Sequence, residues 1–244
     1  MKKIIPACLA VFFALRVDSI FAQSESAQPI KIHLLQAGLT LEYTSAPRLS
    51  QSISDAEKQV NYAVYPLGIT LISPEKQPLI EQKKRAIFSK LKTIDTPESL
   101  QILKHLKKLN FVYKQPTDNL LKRIRLNKKH DPLLLKDYTL SISIRPNHIR
   151  VITPRRKSTS LVKLLPNASL KDYLTKKIAG DSYDSAWVVQ VDQHISQASN
   201  IQWENKKHYL APGAIVYVGL SGLFSEYQAL NQDIVELLSQ HLEL

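Results

Sequence analysis

HIRVITPRRKSTSLVKLLPNASLKDYLTKK, residues His148 to Lys177, decides the fold of this 244-residue chain. His148–Thr153 and Ser160–Leu165 are apolar and β-branched runs on either side of a basic turn, which reads as two strands. After Pro166, Asn167 or Ser169 can cap a helix to Lys177 that carries Leu170, Tyr173 and Leu174 on one face. Ala186–Val191 and Ile201–Tyr209 read as two further strands, with Ala214–Leu220 after them. Strand, strand, helix, strand, strand is the order of a β-grasp unit, one helix covering one face of a mixed sheet.

A shorter version of that order fits the start of the chain. Ile30–Leu35 and Leu39–Tyr43 form a hairpin around Gly38, Arg48–Lys58 is a short helix, and Tyr62–Ile72 returns to strand, broken at Pro66 and Gly68. Between Pro78 and Asn110 the apolar period changes. Ile80, Ile87, Leu91 and Ile94 fall on one helical stripe, and Leu100, Leu103, Leu106 and Leu109 on another. Asp95 and Thr96 can cap, and Pro97 suits a first helical position, where its missing N–H costs nothing. Tyr138–Ile144 alternates as a strand up to Arg145-Pro146.

The reading is therefore α+β: two β-grasp domains, an inserted helical hairpin and a C-terminal amphipathic helix. Its boundaries are a signal peptide at 1–22, a first domain at 28–145 including the hairpin at 78–110, a second domain at 146–224, and the terminal helix at 225–244. In that helix Tyr227, Leu230, Ile234, Leu237 and His241 form one stripe. Glu226, Asp233 and Glu236 occupy the polar face, so the helix is expected to pack on the protein's own sheets and not to span a bilayer.

Lys2 and Lys3, the apolar run Ile4–Leu15 and the small-residue step ending at Ala22 predict a secretory signal cleaved after Ala22. No later stretch approaches the roughly 20 uncharged apolar residues of a spanning helix. Cys8 is the one cysteine, and cleavage removes it, which excludes disulfides, thiol catalysis and cysteine metal sites from the mature chain. Lys2, Lys3 and Arg16 against Asp18 make the signal +2, so the mature chain keeps +10 of the total +12. A basic exported protein meets few nucleic acids, and its natural anionic partners are acidic polysaccharides, lipid headgroups or another protein's acidic face.

Catalytic signatures are missing from the sequence. Six glycines stand in no phosphate-loop order, and seven scattered histidines lack metal-ligand spacing, so neither a cofactor nor a metal is expected. Gly219-Leu-Ser221-Gly222 is one residue short of a nucleophile elbow. Asp233 and His241, eight residues apart on the final helix, would lie about 12 Å apart along it and cannot form a triad's hydrogen bond. No catalytic residue is assigned. The basic segment from Lys114 to His130 is the leading ligand-binding candidate, since Lys114 and Arg125 can pair with anionic sugars while the Tyr113 ring stacks on them.

With these residues in view, the chain resembles the GfcC family of periplasmic proteins encoded with group 4 capsule and related exopolysaccharide systems. The resemblance is carried by Pro212-Gly213, Val218-Gly219, Tyr227, Leu230-Asn231, Asp233-Ile-Val235 and Leu238, by Asp137–Leu140 with Arg145-Pro146, by Lys171–Leu174, and by Tyr65-Pro66 where the family has a Trp-Pro step. It implies two β-grasp domains similar to the periplasmic domains of Wza-type exporters. It further implies a periplasmic, non-enzymatic accessory role in capsule or exopolysaccharide biosynthesis and export. The implied partner is an anionic polysaccharide or an outer-membrane polysaccharide exporter; a polysaccharide-modifying hydrolase or lyase is the alternative. The family carries a Thr-Gly-Arg after the hairpin whose arginine marks a functional cavity. Here Val112-Tyr113-Lys114 stands in that place, keeping the charge and losing the guanidinium fork and the glycine. The resemblance thus transfers the cavity role to Lys114, with Arg125 as the substitute.

Overall fold

A computed structural model describes residues 28–116, 130–157, 160–203, 207–220 and 226–243. The expected signal peptide, its Ala22 cleavage step and Arg125 lie outside the described residues, as do Ser221 and Gly222 of the Gly-Leu-Ser-Gly turn. The chain is α+β, with two mixed sheets. In order, β1 (Ile30–Leu34), β2 (Leu39–Tyr43), α1 (Leu49–Glu57) and β3 (Thr70–Ile72) lead into the helical pair α2 (Gln77–Ile94) and α3 (Pro97–Leu106), and β4 (Tyr138–Ser141) follows. Then come β5 (His148–Ile152), β6 (Ser160–Lys163), α4 (Leu170–Tyr173), α5 (Lys176–Ala179), β7 (Ala186–Val189), β8 (Ile195–Ala198), β9 (Ile215–Tyr217) and α6 (Glu226–Ser239).

The first sheet has the order β2-β1-β4-β3, with β1 and β4 parallel and the outer pairings antiparallel. Its buried face, with Ile32, Leu34, Leu71 and Leu140, packs on Leu49, Ile53 and Ala56 of α1. The second sheet has the order β6-β5-β9-β7-β8, again with a parallel central pair, β5 and β9, between antiparallel hairpins. Ile149, Val151, Val188 and Val216 pack on one face against Leu170, Tyr173 and Leu174 of the α4 region. The alternate residues Ile152, Val189, Ile215 and Tyr217 face the other way, as the period of two requires.

That second face is covered by α2, α3 and α6 together. Ile87, Leu91, Ile102 and Leu106 of the helical pair meet Leu230, Ile234, Val235 and Leu238 of α6 in one cluster. The hairpin leaves the first sheet between β3 and β4 in sequence and buries its apolar stripes over the second sheet. The α6 helix is moored to α2 by ion pairs from Lys83 to Glu236 and from Lys90 to Asp233, the latter at 2.9 Å. Both are surface pairs, each worth about 1 kcal/mol or less; the buried apolar residues hold the helix in place.

The helix junction forms as its residues dictate. Asp95 closes α2 in the left-handed region (φ 53°), and Thr96 caps α3. The Ser99 N–H donates to Thr96 Oγ1 at 3.2 Å, while the Thr96 N–H donates to Ser99 Oγ at 3.0 Å, so two donors at the helix start are satisfied reciprocally.

One strand expectation is corrected. Ile201–Tyr209 is not a strand: residues 201–203 form a turn with Asn200 at φ 54°, and no strand covers the described residues 207–209. The strand that pairs with β7 is the more polar Ile195–Ala198, reached by a tight reversal in which the Gln190 N–H donates to the His194 carbonyl and Gln193 sits at φ 70°. Its polarity fits an edge strand, which wets one face and one flank.

Candidate functional site

Strands β3, β4, β7 and β9 and the segments at Tyr65, at Lys114 and past α6 converge at a cavity of about 70 Å³ between the sheets. Lys114 reaches it from the segment after the helical pair, where residue 114 forms an isolated bridge with Ile72 and its N–H donates to Gln240 Oε1 at 2.7 Å. The Gln115 N–H donates to the Leu71 carbonyl, which fixes the segment against β3. Tyr65 enters from the turn before β3, held by its N–H donating to the Ser143 carbonyl at 2.9 Å. His241 and Glu243 arrive just past α6, where residue 241 bridges Phe111 and the Leu242 N–H donates to the Asn110 carbonyl.

The electrostatics of this cavity are unusual. Lys114 is only 8% exposed, and among the described residues its ammonium has neither a hydrogen bond nor an ion pair. Desolvation pulls its pKa down to about 8. The Tyr65 hydroxyl and His241 Nε2 are also buried and without hydrogen-bond partners. Burial raises the Tyr65 pKa. His241 is pushed down to about 4, first by burial, with Arg150 and Lys114 adding repulsion against its charged form. The one carboxylate among the described residues lining the cavity, Glu243, is engaged: Arg150 and His148 both donate to its Oε1, at 2.8 and 2.9 Å. Burial, the largest influence on Glu243, raises its pKa, yet the hydrogen bond from His148 and the Arg150 charge hold it below the usual carboxylate value.

A buried ammonium costs several kcal/mol unless something compensates it. The feature of this cavity that asks for a ligand is therefore Lys114, by the ordinary rule that buried polar groups are satisfied. Among the described residues, no group of three or more His, Cys, Asp or Glu side chains is placed to hold a metal ion. A wider groove of about 520 Å³ between α2 and α6 offers one charged side chain, Lys90, which is already paired with Asp233.

Of the residues singled out from sequence, Lys114 lines the cavity and Tyr113 does not. The Tyr113 ring packs beside the helical core, with Lys76 Nζ 5.0 Å from its centroid. It belongs to the wall holding the segment and not to a stacking platform beside Lys114. His241 lies beyond the end of α6 at Ser239, and Asp233 is turned to Lys90. Sequence reading missed Tyr65, His241 and Glu243, since Tyr65 precedes β3 while His241 and Glu243 follow α6, and no local pattern joins them to Lys114. A hint stood in the chain nonetheless: His241 is polar on an otherwise apolar stripe.

Over 128 residues the chain is 30% identical to the uncharacterized protein YjbG of Escherichia coli (strain K12), an alignment covering 49% of this chain. The chain spans about half the length of that curated relative, 50% of it. The family described as "Capsule biosynthesis GfcC C-terminal" matches residues 158–243, from β6 through α6 to the cavity-lining Glu243. Over residues 158–243 the chain thus carries the GfcC C-terminal type of sequence that its strand and terminal-helix residues resemble.

Proposed function

We propose that this protein is a periplasmic accessory factor in capsule or exopolysaccharide biosynthesis, and that it binds an anionic group of the polysaccharide in the Lys114 cavity. The family match over residues 158–243 supports the capsule role. The observation that carries the binding reading is the buried Lys114 ammonium, which has no counter-ion among the described residues and lines a cavity. Net positive charge favours approach of an acidic glycan. The export expectation from Lys2 to Ala22 supports the compartment. Among the described residues no helix is long and apolar enough to cross a membrane.

Binding is favoured over glycan hydrolysis by the cavity's charges. Hydrolysis takes two facing carboxyl groups, and among the described lining residues Glu243 is the one carboxylate, committed to Arg150 and His148. Docking on an outer-membrane exporter without glycan contact is the outcome to separate. A glycan array carrying carboxylated and neutral oligosaccharides does so: saturable binding to the carboxylated set, lost in Lys114→Ala, is expected. No binding to any acidic glycan would overturn the ligand reading in favour of docking.

A further inference from the structure

Resting on the reading that the partner is an acidic polysaccharide, we infer that the chain holds that polymer along a second, exposed surface, made by the end of α3, the turn after β5 and α5. Two hydrogen bonds join these elements side by side. His105 Nε2 stands 2.9 Å from the Arg156 carbonyl oxygen, and Arg156 Nη2 donates to the Lys177 carbonyl at 2.6 Å. Exposed lysines flank this junction: Lys104, Lys107 and Lys108 at the end of α3, Lys157 in the turn, and Lys176 and Lys177 on α5. The helical turn continues past α3, with the Lys107 N–H donating to the Leu103 carbonyl and the Lys108 N–H to the His105 carbonyl, so spacings of three and four keep the first three lysines on one face. Burial lowers the His105 pKa most, and the charges of Lys108 and then Lys104 lower it further, which places both beside the junction.

Among the described residues none of the six has a carboxylate partner, and Asp181, the acid that follows α5, is held by Arg155 at 2.6 Å. Local stability does not account for these charges. Lys104 suits the C-terminal end of α3, but Lys107 and Lys108 add like charge three and four residues from it. Lys176 and Lys177 begin α5, where free backbone N–H groups already favour anions. A band of unanswered cations complements a chain that carries its carboxylates at a repeated spacing. Lysine offers point charges on flexible stems and no fixed fork, which tolerates several registers of the polymer. An anionic bilayer is the competing partner, but helices that lie in a membrane surface join large apolar side chains to their basic ones. Among the described residues, Leu100 is the one exposed large apolar side chain on these elements, a turn back from Lys104.

The test is the affinity of the full chain for polygalacturonate at low salt, measured by biolayer interferometry beside vesicles of phosphatidylglycerol and phosphatidylcholine in equal parts. Lys104→Gln, Lys107→Gln and Lys108→Gln together should weaken polygalacturonate binding roughly tenfold, and Lys176→Gln with Lys177→Gln should weaken it as well. Arginine at the three α3 positions should keep it. Lys31→Gln, Lys58→Gln and Lys136→Gln, at exposed positions around the first sheet, change net charge equally and should leave the affinity unaltered. Equal weakening by both triple variants would sink the inference, because net charge alone would then carry the binding. Full affinity in the α3 variant with loss in Lys114→Ala overturns it and leaves the cavity reading standing. Loss in the α3 variant with none in Lys114→Ala supports the surface and removes the cavity as a glycan site. Vesicle binding through these lysines without polygalacturonate binding overturns it in favour of lipid, and if the native protein binds neither, both readings fall.

Discussion

Asn231 of α6 holds the Tyr217 hydroxyl of β9 at 2.9 Å inside the apolar cluster between helix and sheet. The same amide accepts from the Leu220 N–H at 3.0 Å and donates to the Leu220 carbonyl at 3.1 Å. One buried side chain thus satisfies a phenol and both backbone groups of the residue leaving the last strand. Asn231→Ala would strand all three, and at roughly 1–3 kcal/mol per unsatisfied buried group we expect a loss of at least 3 kcal/mol in urea unfolding. Tyr217→Phe, which removes one partner and keeps the others, should cost clearly less. Equal losses would show that the network does not act through the Leu220 backbone.

Gly219 lies where a Cβ would fall 2.6 Å from Trp187 and 2.7 Å from the Asn231 amide. Both neighbours are fixed, Trp187 against Tyr217 at 5.9 Å between ring centroids and Asn231 by its three bonds. Gly219→Ala should therefore destabilise by about 1–3 kcal/mol through overpacking, measured as a lowered urea midpoint at unchanged slope. An unaltered midpoint would mean that the Trp187 ring moves aside at no cost.

Lys114 should lower the stability of the fold. Its folded pKa of about 8 lies below the usual 10.5, so the folded state binds fewer protons between those values. Stability then rises with pH across that window, and below pH 8 the whole penalty, on the order of 3 kcal/mol, is present. Lys114→Met should raise the melting temperature at pH 7, by roughly 2–4 °C per kcal/mol recovered, and flatten the rise above pH 8. A less stable Met variant would indicate a counter-ion for the ammonium.

His241 works in the acid range with the same sign. Its folded pKa of about 4 lies below the usual 6.5, so protonation is disfavoured in the folded state and stability falls as pH drops from 6.5 to 4. The groups acting on it are Arg150, Lys114 and Glu243. Across that window His241→Phe should lose less stability than the native protein, by up to about 3 kcal/mol. Parallel curves would show that His241 does not drive the acid loss.

The elements with strong local grammar were legible in the sequence. The Asp95-Thr96-Pro97 step announces the end of α2 and the cap of α3, and the 3.6-residue spacing of Ile80, Ile87 and Leu91 announces the buried face. The strand β8 was not legible, because Ile195-Ser-Gln-Ala198 is too polar to stand out and the apolar residues after Asn200 imitate a strand while forming a turn. Of the site, Lys114 could be named and its surroundings could not. A cavity made from the turn at Tyr65, the segment at Lys114 and the stretch past α6 is a property of long-range packing, on which local pattern is silent. The landing of the helical pair on the second sheet is hidden for the same reason, since amphipathicity states that a face is buried and not against what.

The stretch from Gln240 to Glu243 is stitched to Asn110, Val112 and Lys114 and also supplies His241 and Glu243 to the lining of the cavity. The site therefore cannot exist in a partly folded chain. Both edges of the seam must already be closed before Lys114 has anything to share with a ligand. If the proposed anion site is real, its occupancy is a proofreading mark: a chain cut short before α6, or one with that helix undocked, would present much the same positive charge to an acidic polymer and yet lack the cavity.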